Sequence, residues 1–350
     1  MSRQRLDPRV PLSELHVHLG AAVTPAIMWG IAHAQGIRLP TKDYWAFRDL
    51  ITVGRRRKGF DAYLDLFHWT ELIQSSPTAV ERSVYEVIGG AYRKSNITRI
   101  ELRFNPMKRN RGGEQDLDHI IAAAVRGMDR AVLEYPQVRA GLIFCLDRAF
   151  SRDLNEIIAA KAISWRSRGV VAVDIAGPVD SAFHFGDYRD LFDECRRAGL
   201  GVTVHAGETG GPEEVREAIE ALEPTRIGHG IKSAYDPAVM GMLRERGIVL
   251  EVCPSSNLTT RVVRNVAEMR FILRSLIDNA VPFTLSTDGP EMLRTHLRDE
   301  LALMLRTEMM TSDEIAQAIQ TAHAASFLTD EPPPLEASDV GAPIALEIEV

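Results

Sequence analysis

Two histidines stand one residue apart in "SELHVHLG" (13–20). In an extended segment successive side chains point to opposite faces, so His16 and His18 share one face and Val17 takes the other. Two imidazoles then converge on one point, as metal ligands do, although hydrogen-bonded core histidines would show the same spacing. Partners from elsewhere in the chain decide between these readings. His205 in "VTVHAGE", His229 in "RIGHG", Asp174 in "VDIAG" and Asp288 in "STDGP" each lie at the end of a short apolar run. Imidazoles and a carboxylate are suitable zinc ligands, with a further position left for water. One zinc ion per chain is expected, because a second would call for a group such as a modified lysine, and "VVAVDIAG" contains no lysine. Zinc lowers the pKa of bound water to about 7, which supplies a hydrolytic nucleophile. Glu208 follows His205 by three residues in "HAGE". A carboxyl there could pass a proton to or from a substrate without ligating the metal; taken alone it reads equally as a loop glutamate. His229 could orient the attacking water or serve as a fourth nitrogen ligand. The set points to a metal-dependent hydrolase.

The elements that must position these residues are short strand-like runs alternating with longer helical patterns. The strand candidates are "ELHVHL" (14–19), "RIELRF" (99–104), "AGLIFCL" (140–146), "VVAVDIA" (170–176), "GVTVHAG" (201–207), "RIGHG" (226–230), "IVLEVCP" (248–254) and "VPFTLSTD" (281–288). Helical signals fill most gaps. Residues 153–169 open with Asp153 three residues before Glu156, a capping-box spacing, and stop at Gly169. Residues 236–247 place Asp236 at the cap, Pro237 at the first helical position and Gly247 at the exit. Eight strand–helix units predict an α/β fold, a (β/α)8 TIM-type barrel, because near-continuous apolar strands must be covered on both faces. Such barrels carry their chemistry at the C-terminal ends of the strands, and all the residues above would face that mouth. Strands 8 and 1 become neighbours when the barrel closes, which brings Asp288 beside His16 and His18. Residues 20–98 are too long for one crossover and predict a helical lid insertion after strand 1. Its basic run "RRRK" (55–58) reads first as a solvated turn.

These motifs together resemble the adenosine deaminase family. "ELHVHL", "IELRFNP", "VDIAG", "VTVHAGE", "RIGHG", "LEVCPSSN" and "STDGP" occur in family order across roughly residues 10–325. The resemblance implies a mononuclear zinc barrel that replaces the exocyclic amino group of a purine nucleoside-like substrate with oxygen and releases ammonia. His16, His18, His205 and Asp288 match the family's zinc ligands. Glu208 matches the acid that protonates the purine N1 while hydroxide adds at C6, and His229 the histidine that holds the hydroxide. On the substrate side, Gly177 matches the backbone donor to N3, and Asp174 a carboxylate behind the metal ligands. Two positions depart from the pattern. Where relatives that act on adenosine read H-x-H-L-D-G, this chain has "HVHLGAA", so Gly20 replaces the aspartate that grips the ribose 5′ hydroxyl. Where they read T-D-D-P, "STDGP" puts Gly289 in place of the aspartate that bonds N7. A site lacking a hydrogen-bonding partner loses discrimination for the group it would have bound. Plain adenosine is therefore expected to be a poor substrate. A bulky or anionic 5′ substituent could enter instead, with Arg55 to Lys58 or Arg103 as counter-charges. The alternatives are another aminated heterocycle, or hydrolysis of a different C–N or ester bond at the same zinc. A binding protein with a vestigial metal is a further class, disfavoured by Glu208 and His229. The cytidine deaminase architecture needs P-C-x-x-C, which "EVCPSSN" lacks.

Composition agrees with an ordinary folded enzyme. The chain has 350 residues, 45% hydrophobic and 25% charged, and a formal charge of −7. No basic field argues for nucleic acid or an anionic membrane. Three scattered cysteines suggest neither a metal knuckle nor a disulfide framework. With no signal-like or bilayer-length apolar stretch, a cytoplasmic protein with a small-molecule partner is expected. The sequence leaves the oligomeric state open. Residues 1–330 are expected to form a single catalytic domain. Residues 331–350 would be an acidic, Pro-rich tail, either disordered or pairing through "ALEIEV".

Overall fold

The computed structural model describes residues 7–54, 59–110, 116–178 and 183–329. Neither the basic run 55–58 nor the tail 331–350 falls within the described residues. Eight parallel strands follow one another in spatial order β1 to β8. They are β1 (Leu12–His18), β2 (Ile97–Phe104), β3 (Arg139–Asp147), β4 (Val170–Ala176), β5 (Gly201–Ala206), β6 (Arg226–His229), β7 (Val249–Val252) and β8 (Phe283–Leu285). The eight expected strands are borne out, with β8 shorter than the run 281–288. Beyond Leu285 the chain still serves as sheet at one point: Asp288 N–H donates to the His16 carbonyl (2.8 Å) and His18 N–H to the Asp288 carbonyl (2.9 Å). That bridge, Val17 opposite Asp288, links the last strand to the first. The architecture is a (β/α)8 barrel.

Local chemistry sets the helices. The helix Pro237–Arg246 starts where Asp236 Oδ1 accepts from the N–H groups of Ala238 (2.8 Å) and Val239 (3.3 Å). It ends at Gly247, whose φ of 65° suits glycine. The helix expected from Asp153 instead begins at Arg152, capped by Ser151, and stops at Ser164; a 3-10 turn then leads to Gly169 at φ 97°. Asp153 lies in the first turn, where its charge complements the helix dipole.

Between β1 and β2 the chain forms Leu19–Ala22, Pro25–Ala34, Tyr44–Ile51, Phe60–Ile73 and Pro77–Ser95. The last packs along β2 and the next barrel helix, Leu117–Glu134, as a crossover helix does. Phe60–Ile73 lies at the mouth, with Phe60, Tyr63, Leu64 and Phe67 facing the cavity there.

The barrel interior is charged where apolar layers are usual. Arg103 on β2 donates to Asp174 on β4 (2.9 Å) and to Glu251 on β7 (2.7 Å). Arg226 on β6 reaches Glu251 (2.7 Å) and Glu101 (2.5 Å). Except for Arg226–Glu251, on neighbouring strands, these bonds cross between non-adjacent strands, so the side chains point inward, and all five residues are buried. Below them, Phe327 lies against Arg226, 3.7 Å from guanidinium to ring centroid, and closes the floor.

Candidate active site

His16 and His18, at the end of β1, do converge. Glu251 accepts from His16 Nδ1 (2.7 Å), which turns His16 Nε2 inward, buried and without a hydrogen-bond partner. Across the mouth, Asp174 takes His205 Nδ1 at 2.9 Å, so His205 Nε2 also faces in, 3.2 Å from His18 Nε2. Asp288 Oδ1 lies 3.9 Å from His16 Nε2 and 3.6 Å from His18 Nε2. Its other oxygen accepts from Ser256 Oγ (2.6 Å). Among the described residues two overlapping groups, His16 with His18 and His205, and His16 with His229 and Asp288, hold ligand atoms within 4.8 Å of one another.

This donor set fits a zinc ion. Each of His16 and His205 spends one nitrogen on a carboxylate and keeps the other for the centre, the arrangement that orients metal-binding histidines. Burial first, then neighbouring positive and imidazole groups, holds His16, His18 and His229 well below the usual histidine range, which favours the neutral imidazole that metal binding requires. Burial raises Asp288. Two of these residues, His229 (φ 60°) and Asp288 (φ 62°), occupy left-handed backbone that costs a non-glycine residue about 1 kcal/mol or more. Such strain collects where a side chain must be aimed.

Asn257 fixes His229 through Nδ1 (3.1 Å), leaving Nε2 3.6 Å from Glu208 Oε2. Burial, then the charges of Asp288 and Glu214, pushes the Glu208 carboxyl well above its ordinary range, with Arg148 pulling the other way. An upward shift is the direction a general acid needs. Glu208 Oε1 is buried and unbonded.

Gly177 lines the same cavity, at φ 114°. Asp174 does not line it. It is wholly buried behind His205 and is held well below its normal range: burial opposes ionisation, but His205 and Arg103 outweigh it. Arg103 needs correction as a counter-charge for a substrate. It is fully buried and bound to Asp174, Glu251 and the Leu15 carbonyl (2.6 Å).

At the two departing glycines the space is occupied. A Cβ on Gly20 would lie 2.9 Å from Phe67 Cδ1 and 3.1 Å from Arg109 Nη2; one on Gly289 would lie 2.5 Å from Tyr63 Oη. Sequence reasoning missed Tyr63, Phe67, Arg148, Glu251, Ser256 and Asn257. A signal existed for the last three, polar residues inside the otherwise apolar "LEVCPSSN". None existed for the lid residues, whose helix reads as an ordinary amphipathic one.

A parallel barrel with imidazoles, a carboxylate and a buried glutamic acid gathered at its mouth suits a hydrolytic deaminase acting on C–N bonds. Comparison with known proteins agrees. The signature of the family described as "Adenosine deaminase" matches residues 11–333. The adenosine deaminase of Shewanella loihica is 30% identical over 328 residues, covering 93% of this chain and 96% of that one. Among solved structures, the adenine deaminase of Arthrobacter aurescens superposes with a TM-score of 0.80 at 20% identity, covering 91% of this chain and 94% of the other. The N6-mAMP deaminase of Arabidopsis superposes at 0.78 and 21%, covering 92% and 95%. At such identities the likeness bears on the fold. The chain belongs to the adenosine deaminase family, whose members are metal-dependent. Among the described residues no helix is long and apolar enough to cross a membrane.

Proposed function

We propose that this chain is a zinc-dependent deaminase of a 5′-modified purine nucleoside, with an anionic group at the 5′ end. His16, His18, His205 and Asp288 would hold one zinc ion, which when bound supplies the Lewis acidity that makes water nucleophilic at neutral pH. Asp174 and Glu251 orient His205 and His16 from behind. His229 Nε2 positions the attacking water over the amine-bearing carbon. Glu208 gives its proton to the adjacent ring nitrogen as water adds to the carbon; His229 takes one water proton and passes it to the amino group, the C–N bond breaks with loss of ammonia, and the remaining hydroxyl proton returns to Glu208 as the C=O forms. Gly177 offers backbone to the far edge of the ring.

One observation carries the substrate part. No carboxylate can stand at Gly20, because Phe67 and Arg109 fill that space. Arg109, buried and 3.3 Å from Glu71, is the cation beside this corner, where a carboxylate would have gripped a 5′ hydroxyl; an anionic substituent would compete with Glu71 for it. A phosphate or other anion is the complement. The Arabidopsis relative in fold is named for a nucleotide substrate, N6-mAMP, in agreement with this.

The test is ammonia release by zinc-loaded protein with adenosine, AMP, N6-methyl-AMP, adenine and an uncharged 5′-thioether nucleoside. The expectation is that a 5′-phosphorylated compound is turned over at least about a hundredfold more efficiently than adenosine. Equal efficiency on adenosine refutes the 5′ assignment. Silence on every purine with zinc bound refutes the purine assignment and favours another aminated heterocycle.

A further inference from the structure

We propose that the Tyr63 hydroxyl, lodged in the space that a side chain at Gly289 would fill, is the group that recognises the five-membered ring of the substrate by donating to its unprotonated nitrogen. The inference rests on reading the site as a purine deaminase and adds a residue that determines specificity.

Tyr63 comes from the helix Phe60–Ile73 and lines the same cavity as His18, His205, Glu208, His229 and Asp288. Its ring is fixed by apolar neighbours: it packs with Ala21, Leu66 and Met292 and meets Phe67 edge-on, centroids 5.5 Å apart at 85°. The hydroxyl tip is buried and makes no hydrogen bond of ordinary length and angle. Its neighbour in the protein is the Asp288 carboxyl, which it approaches in a poorly aligned contact. Asp288 already accepts a well-formed bond from Ser256 through Oδ2, while Oδ1 faces His16 and His18. A buried hydroxyl so poorly bonded is costly, and on a residue that lines a ligand cavity it gains a better partner from the ligand.

Topology decides which ligand atom that is. Glu208 follows β5, whereas Gly289 and the Tyr63 oxygen beside it follow β8, three strands away. A purine with its amine-bearing carbon at the metal position and one amidine nitrogen toward Glu208 turns its other flank toward β8. That flank carries the five-membered ring nitrogen. A phenol O–H keeps its proton here, so it can donate to a ring nitrogen lone pair and gains nothing from a C–H at the same place.

The experiment compares kcat/KM for the best purine substrate and its 7-deaza analogue, in wild type and in Tyr63→Phe, with thermal unfolding of both proteins. Wild type is expected to prefer the purine by about tenfold or more. Tyr63→Phe should lose about tenfold on the purine and less than about twofold on the analogue, so that the preference collapses. The variant should unfold close to wild type, since the only protein contact the substitution removes is the poorly aligned one to Asp288. Equal losses on both substrates, an undiminished preference, or marked destabilisation of Tyr63→Phe each overturn the assignment. If wild type deaminates no purine at all, the functional reading fails before Tyr63 is reached, which separates the two.

Discussion

Glu251→Gln tests whether the charged barrel interior holds the metal ligands. Glu251 lies at the centre of four hydrogen bonds: Oε2 accepts from His16 Nδ1 and Arg103 Nη2, both 2.7 Å, and Oε1 from Arg226 Nε (2.7 Å) and Thr203 Oγ1 (3.0 Å). Burial alone would raise its pKa, but Arg103 and Arg226 more than offset that and hold it below the ordinary value. Glutamine keeps the shape, yet whichever way its amide turns, an NH2 faces a guanidinium N–H. The less costly choice points the NH2 at Arg226 and Thr203, because the threonine hydroxyl can turn to accept. Arg226 then loses one charge-assisted bond but keeps Glu101 at 2.5 Å. Breaking a buried pair from one side costs about 3–5 kcal/mol. The retained partner puts this substitution at the lower end, about 3 kcal/mol, a large part of the about 5–15 kcal/mol that stabilises a typical domain. His16 would now bond a neutral amide oxygen and become a poorer donor, with metal affinity down about tenfold. Urea unfolding of the metal-free protein measures the first quantity, and competition with a chelator of known affinity the second. A midpoint shift worth less than about 1 kcal/mol with unchanged metal affinity would refute the reasoning.

Glu208→Gln keeps the shape of the acid and removes its proton. It should retain the metal content of wild type while ammonia release falls about 10²- to 10⁴-fold; loss of metal would show that Glu208 is a ligand instead. Glu300 supplies a pH prediction. Burial raises its pKa from 4.5 to about 7, against the bonds from Ser255 and Thr295. The folded value is the higher one, so its stabilising contribution is complete below pH 4.5 and is lost as pH rises toward about 7. The loss is of order 3 kcal/mol. In Glu300→Gln the amide can accept from Ser255 N–H and donate to a turned Thr295 hydroxyl, so the stability curve should be flatter across that window. Denaturant melts at a series of pH values would reject this if both proteins gave parallel curves.

What was readable in the sequence follows from how local its cause is. His16 and His18 were legible because the alternation of a strand is a nearest-neighbour property, and the cap and exit of Pro237–Arg246 were legible for the same reason. The strand ends carrying His205, His229 and Asp288 could be gathered because barrel topology has only one mouth. The cross-barrel pairs were not legible. Arg103 looks like a free cation in "RIELRF" until the fold sets Asp174 and Glu251 against it. The two glycines were noticed as absences, but their occupants, Phe67, Arg109 and Tyr63, lie far off in the chain, and only tertiary packing places them there. Ser151 displaced Asp153 as a cap because both are good capping residues two positions apart.

The bridge between β1 and Asp288 also bears on how the enzyme is made. His16 and His18 leave the ribosome well before Asp288, which closes the barrel and would complete the proposed metal site some 270 residues later (288 − 18). At about 5–20 residues per second that interval is on the order of tens of seconds. Until His205 emerges, a nascent chain offers metals only an isolated pair of imidazoles, and until Asp288 does, an incomplete set, a weak and unselective site. The proposed zinc can be held firmly only after the last strand has docked. Metal loading is then a final step, and a chain truncated before Asp288 would carry most of the ligands and bind no metal tightly.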